Sequence, residues 1–212
     1  MKRLLSRLLL LAVLGSALPA ANAGAYEDFF RAVGVDDART VSALLARGFD
    51  PNAPDEKGQV PLYLALRAES PKVVEALLAS PKLDVDRANA AGETPLMIAA
   101  LRGQLDATKR LLERGARVNR DGWTPLHYAA SGPEPKVVAL LLDRGARVDA
   151  PSPNHSTPLM MAARYGAEAS TDLLLKRGAD PTVRNDKALN AADFARQGGR
   201  ESLATRLDKL TR

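Results

Sequence analysis

The sequence predicts an all-α repeat solenoid, and three observations carry that reading. Four segments are alike: VPLYLAL from 60, TPLMIAA from 94, TPLHYAA from 124 and TPLMMAA from 157, with a degenerate NAADFA at 190. They set Pro61, Pro95, Pro125, Pro158 and Ala191 apart by 34, 30, 33 and 33 residues, a period that marks a stacked array. A second element keeps its distance from the first, because Gly115, Gly145 and Gly178 each follow Thr94, Thr124 and Thr157 by 21 residues. Finally, 46% of the chain is hydrophobic but only 4% is aromatic. The core must then be Leu, Ala and Val, and few segments alternate as a strand would.

The amino-terminal element is of another kind. A basic MKRLLSR precedes LLLLAVL at 8–14, and GSALPAANA follows with the small residues Ala21-Asn22-Ala23. These are the three regions of a secretory signal peptide. The unbroken apolar run falls short of the ~20 residues that cross a bilayer, and Pro19 interrupts it. Cleavage is expected between Ala23 and Gly24, with Ala23-Gly24-Ala25 as the second choice. No cysteine is present to carry a lipid, so a soluble exported protein is expected. The Ala-rich leader end points to a bacterial periplasm, with secretion as the alternative.

Removing 1–23 changes the charge. The whole chain carries +5, but losing Lys2, Arg3 and Arg7 leaves 27 bases against 25 acids. With signs alternating and no basic run, that balance argues against nucleic acid as a partner. An exported chain without cysteine must be held by packing alone.

The repeats follow in order. Counting back 21 residues from Gly48 in LLARGFDPN reaches Glu27, so a first copy without the Thr-Pro pair begins near Tyr26. In the later copies Thr94, Thr124 and Thr157 suit an N-cap, and the proline after each suits the first helical position. The Ala pair that follows lets helices approach closely. A second helix carries apolar residues at helical spacing, as Val137, Val138, Leu140, Leu141 and Leu142 do in KVVALLLDRG. Gly115, Gly145 and Gly178 then end it in a left-handed conformation. One such unit cannot bury its own apolar face, so stacking supplies the core. In RESLATRLDKLTR, Leu203, Leu207 and Leu210 share one side and charges the other, as an end cap should.

On these residues the chain resembles the ankyrin repeat family, whose pattern T-P-L-H-x-A-A followed by L-L-x-x-G-A-x-x-N is matched most closely at 124–149. The resemblance covers about 26–212 and implies stacked helix-turn-helix units with projecting β-hairpin fingers. It divides the domain at 24–212 into five repeats, about 26–58, 59–92, 93–122, 123–155 and 156–188, with a cap at 189–212. Two departures stand out. Gly115 to Thr124 is 9 residues, where Gly145 to Thr157 and Gly178 to Asn190 are 12. The third finger is therefore short and should leave a notch with Trp123 at its base. The second finger, SPKLDVDRANAAG, is one residue longer and has Pro81 in place of glycine.

Little points to catalysis. The two histidines, His127 and His155, come without cysteine and cannot make a His/Cys metal site. The resemblance implies a structural role for His127, bonding backbone between repeats, while His155 takes a turn-glycine place. No phosphate loop, G-x-S-x-G nucleophile motif or paired carboxylates appear, so no enzyme, cofactor or metal is expected.

The resemblance implies instead a protein partner on a concave face lined by finger tips and first-helix ends. By position these are Lys57, Gln59 and Arg67; Glu93, Leu101 and Arg102; Asp121, Trp123 and Ser131; and Ser156, Arg164 and Tyr165. Trp, Tyr and Arg are the residue types enriched at interface hot spots. Trp123 is either an anchor for a partner or a ring packed half-buried on a neighbouring finger. Arg102 and Arg164 suit acidic patches on a partner, or simply a solvated face. The expected protein is a monomeric periplasmic adaptor, with no membrane anchor after cleavage. It resembles small exported ankyrin proteins of Gram-negative bacteria, some linked to catalase and peroxide defence, others to immunity against a toxin. An envelope chaperone and a hydrolase are the further alternatives.

Overall fold

The computed structural model describes the backbone of residues 20–211 and the side chains of 24–211. The signal-peptide reading falls almost wholly outside the described residues. Twelve helices occur among them, in six consecutive pairs: α1 (Ala20–Gly34) with α2 (Ala38–Ala46), α3 (Pro61–Arg67) with α4 (Pro71–Leu78), α5 (Pro95–Leu101) with α6 (Leu105–Glu113), α7 (Pro125–Ser131) with α8 (Pro135–Asp143), α9 (Pro158–Tyr165) with α10 (Glu168–Lys176), and α11 (Ala191–Gln197) with α12 (Glu201–Lys209). First helices stack in series from α1 to α11, and second helices from α2 to α10.

Local chemistry explains each pair. Pro61, Pro95, Pro125 and Pro158 occupy the first turn of their helices, as do Pro71 and Pro135, where a missing N–H costs nothing. The residue before each of α3, α5, α7, α9 and α11 is extended. At Thr157 the hydroxyl accepts from the Met160 N–H at 3.4 Å. More regularly the cap runs backwards: the N–H of Thr94, Thr124, Thr157 and Asn190 donates to Met97 Sδ, His127 Nδ1, Met160 Sδ and Asp193. Gly145 ends α8 at φ +85°, and the Ala146 N–H closes onto the Leu141 carbonyl at 2.9 Å, the Schellman arrangement. At the end of α4 no left-handed residue is used. Ser80 N–H bonds Leu77 O and Leu83 N–H bonds Ser80 O, so a hydrogen-bonded turn through Pro81 follows the helix, and the additional residue of this finger lies between Pro81 and Asp86.

Leu62, Leu96, Leu126 and Leu159 repeat at one position and are all buried, beside the buried pairs Ala99–Ala100, Ala129–Ala130 and Ala162–Ala163. Each such leucine contributes about 1.5–3 kcal/mol of burial. Glycine sets the closest approach: a Cβ on Gly166 would lie 1.9 Å from the Ala130 carbonyl oxygen, and one on Gly198 2.6 Å from that of Arg164. These contacts place the carboxy-terminal ends of α7, α9 and α11 in a row. The stack ends in Leu203 and Leu207, both buried. Leu210 departs from the expected apolar stripe: it sits at the C-cap of α12, 53% exposed. The opposite end carries an aromatic cluster, with Phe29 stacked on Phe49 at 4.2 Å and Tyr26 and Phe30 beside them.

Candidate functional site

The fingers are built by one device. Asp55 accepts from the N–H of Lys57 and Gln59, Asn89 from Ala91 and Glu93, and Asn185 from Lys187 and Leu189. Ser152 does the same for Ser156. Two backbone bonds then close each of these tips, Asp55 N–H to Gln59 O and Gly58 N–H to Asp55 O at 2.8 Å, and Asn89 N–H to Glu93 O and Gly92 N–H to Asn89 O at 2.9 Å. Each finger is thus a tight turn, and no strand is assigned among the described residues. Side chains tie finger bases together in sequence: Asn52 to Lys82 and Asp84, Asp86 to Arg117, Asn119 to Gly145 and Arg147, and Asp149 to Asp180.

Finger and helix share one face because Glu93 holds them together. Its Oε2 accepts from the Tyr63 hydroxyl at 2.8 Å and Asn89 Nδ2 at 3.0 Å, and its Oε1 from the Tyr128 hydroxyl at 3.0 Å. Burial disfavours the charge, but the bonds from Asn89, Tyr63 and Tyr128 outweigh it and hold the carboxyl below its ordinary range. Burial and then the bond to Glu93 push the Tyr63 phenol up to about 12. Tyr128 is raised too, by burial first and then the Glu93 charge. Asn89 also donates to Gln59 Oε1, and the Arg67 guanidinium lies 5.9 Å over the Tyr63 ring. Gln59, Arg67 and Glu93 are thus gathered around Tyr63. The carboxylate of Glu93 is occupied internally.

In the short third finger the residue at the heading place, Asn119, turns its side chain to Gly145 and Arg147 and does not start a turn of this kind. A cavity of about 320 Å³ opens there between Asp86, Ala88, Thr94, Arg117, Arg120 and Asp121. Trp123, on the same finger, is 37% exposed and meets His127 in a T-shaped contact at 5.2 Å between centroids. His127 is buried, accepts the Thr124 N–H at Nδ1 and meets the Ser156 carbonyl through Nε2 at 3.0 Å. That pattern fixes the neutral Nε2–H tautomer, and burial pulls its pKa down to about 4. Ser156 is buried and accepts from Asn185 Nδ2, so it belongs to the packing between fingers.

The helix-end residues divide by their partners. Ser131 donates to the His127 carbonyl, and Arg102 pairs with Glu69. Leu101 is half-buried against the core. Arg164 donates to Gln197 at 2.8 Å and stacks over Tyr165 at 4.9 Å, with that tyrosine 59% exposed. Lys57 and Asp121 are exposed on their fingers, and His155 meets Asp186 of the next finger at 2.6 Å. Tyr63, Tyr128, Asn89 and Arg120 are not singled out by the sequence. Aligning the copies on Pro61, Pro95, Pro125, Pro158 and Ala191 puts Asp55, Asn89, Asn119, Ser152 and Asn185 at one place. Nothing local marks the tyrosines, whose partner lies a repeat away.

Comparisons with known proteins agree with this architecture. The family model described as ankyrin repeats, three copies, matches residues 29–121 and 118–185. The ankyrin repeat protein nuc-2 of Neurospora crassa is 35% identical over 136 residues, covering 64% of this chain and 10% of that protein. A human neurogenic locus notch homolog is 39% identical over 69 residues, 32% of this chain and 3% of that protein. The chain thus spans only a small part of the curated relatives it matches. Among solved structures, a chain in the complex of a predatory endopeptidase of Bdellovibrio bacteriovorus with an immunity protein superposes with a TM-score of 0.74. It is 29% identical and covers 86% of this chain and 97% of its own length.

Proposed function

The chain belongs to the ankyrin-repeat family, and from that premise we propose that it is a non-catalytic adaptor binding one protein on the face made by its finger tips and first-helix ends. One observation carries this. Trp123 and Tyr165, the two exposed aromatic side chains among the described residues, both lie on elements of that face. Rigid aromatic rings beside arginine are the groups that anchor protein interfaces, and Arg164 lies over the Tyr165 ring. The working set is Lys57, Arg67, Leu101, Arg102, Asp121, Trp123, Arg164 and Tyr165, with Gln59, Glu93 and Ser131 holding the face in shape. The test is affinity capture from an envelope extract of the source organism, comparing the protein with a folded Trp123→Ala, Arg164→Ala double variant. A partner retained by the first and lost by the second supports the reading, and equal capture by both contradicts it.

The partner class is narrowed by the solved complex that this chain resembles. The match covers 97% of the neighbour's chain, in a complex of an endopeptidase with an immunity protein. That favours immunity against an exported hydrolase over a role in peroxide defence. Export to the periplasm through cleavage at Ala23–Gly24 is a separate part of the proposal and rests on the amino-terminal sequence pattern. Amino-terminal sequencing of the protein from a periplasmic fraction tests export: a chain starting at Gly24 supports it, and an intact Met1 in the cytoplasm contradicts it.

A further inference from the structure

We propose that the notch at the short third finger receives an acidic side chain of the bound protein, with Arg120 and Arg117 as its counter-charges. This rests on the reading above, that a protein occupies the finger face. It specifies the chemistry of one contact.

The short finger leaves three backbone N–H groups without the bonds that the other fingers make. In the fingers headed by Asp55, Asn89 and Asn185, the side chain of the heading residue takes the N–H groups two and four positions on, and a backbone carbonyl takes the glycine-slot N–H between them. In the third finger Asn119 stands at that place, but its side chain is drawn away to Gly145 and Arg147 at the base of the next finger. The N–H groups of Asp121, Gly122 and Trp123 consequently have no intramolecular acceptor among the described residues. Gly122 is left-handed there, at φ +75°, and successive free N–H groups around a left-handed residue attract anions.

Charge in the cavity points the same way. Asp86 has both carboxylate oxygens engaged by Arg117, Oδ1 by its N–H and Oδ2 by its Nε, each at 3.0 Å. The outer nitrogens of Arg117 remain exposed to solvent. Arg120 is held in place by one nitrogen, which donates to the Gly92 carbonyl at 2.7 Å, and its other terminal nitrogen has no acceptor among the described residues. Arg147 approaches from the following finger, where it donates to the Arg120 carbonyl. Against this stands one carboxylate without a partner among the described residues, Asp121 on the lip. Donors exceed acceptors, so the complementary group is an acceptor of negative charge. About 320 Å³ is ample for one carboxylate side chain and too small for a folded segment.

The probe is a short capped peptide with a central glutamate, titrated into 15N-labelled protein and followed through the amides of Asp121, Gly122 and Trp123, the Trp123 indole N–H and the Arg117 and Arg120 Nε–H. The expected result is saturable shifts confined to these signals, absent with the glutamine counterpart. Arg120→Gln should weaken binding about tenfold, as loss of a charge-assisted hydrogen bond would, and Arg117→Gln, which leaves Gly92 untouched, should weaken it as well. An unchanged spectrum with the glutamate peptide overturns the proposal. So does a response to the lysine counterpart, which would place the contact on Asp121, or tighter saturation by inorganic phosphate, which would make the notch a small-anion site. Loss of this response with capture by the finger face intact sinks the notch alone. Equal capture by the Trp123, Arg164 double variant sinks the broader reading whatever the notch does.

Discussion

Tyr128 reaches back across 35 positions to donate its hydroxyl to Glu93, the same carboxylate that Tyr63 meets from the other side. One acidic group thus braces three successive repeats on the finger face. Glu93→Gln keeps the shape but removes the charge that both phenols address. It should lower stability by about 1–3 kcal/mol in urea unfolding, the range for charged hydrogen bonds, and loosen the second finger.

The same residue gives an acid dependence. Its folded-state pKa is depressed, so its contribution is present above the ordinary carboxylate range and is lost as pH falls through the folded value. Stability measured from pH 6 downward should therefore fall less steeply in Glu93→Gln than in the parent.

His127 acts in the window above that. Its pKa falls from 6.5 to about 4 on burial, so the unfolded chain takes up the proton first. The contribution is intact above 6.5 and is lost as pH drops towards 4, amounting to at most about 3 kcal/mol. Chemical denaturation between pH 7 and pH 4 should show this loss in the parent and its absence in His127→Gln.

Thr171 is buried in α10, and its hydroxyl has no hydrogen-bond partner among the described residues. Counted from the glycine that ends the helix, Val138 and Val41 occupy the same place in α8 and α2. Thr171→Val should stabilise the protein by about 1 kcal/mol, read as a higher midpoint in thermal unfolding.

Gly166 has no room for a side chain, since a Cβ would press on the Ala130 carbonyl at 1.9 Å. Gly166→Ala must force α9 away from α7, and should cost about 2 kcal/mol or more. An unchanged unfolding midpoint would show that the spacing of first helices is softer than this structure implies.

The parts legible in the sequence are those that act within a few residues. Pro125 after Thr124, and Gly145 after α8, are local chemistry, and repetition made them visible. The three-residue shortening before Trp123 was legible too, and a cavity stands there. Glu93 was read as facing a partner because its place in the repeat is a finger tip; it turns inward because Tyr63 and Tyr128, one repeat away on either side, supply its bonds. No neighbouring residue signals that arrangement, and it occurs in one copy only. Trp123 packs on His127 of its own repeat, with about a third of its surface open.

The central claim is that a protein seats on the finger face. Hydrogen exchange of the captured complex against the protein alone tests it most directly. The account predicts slowed exchange at 56–59, 121–123 and 164–166, with the outer helices α4, α6 and α8 unchanged. Protection confined to those outer helices would contradict it and move the binding surface to the opposite side of the stack.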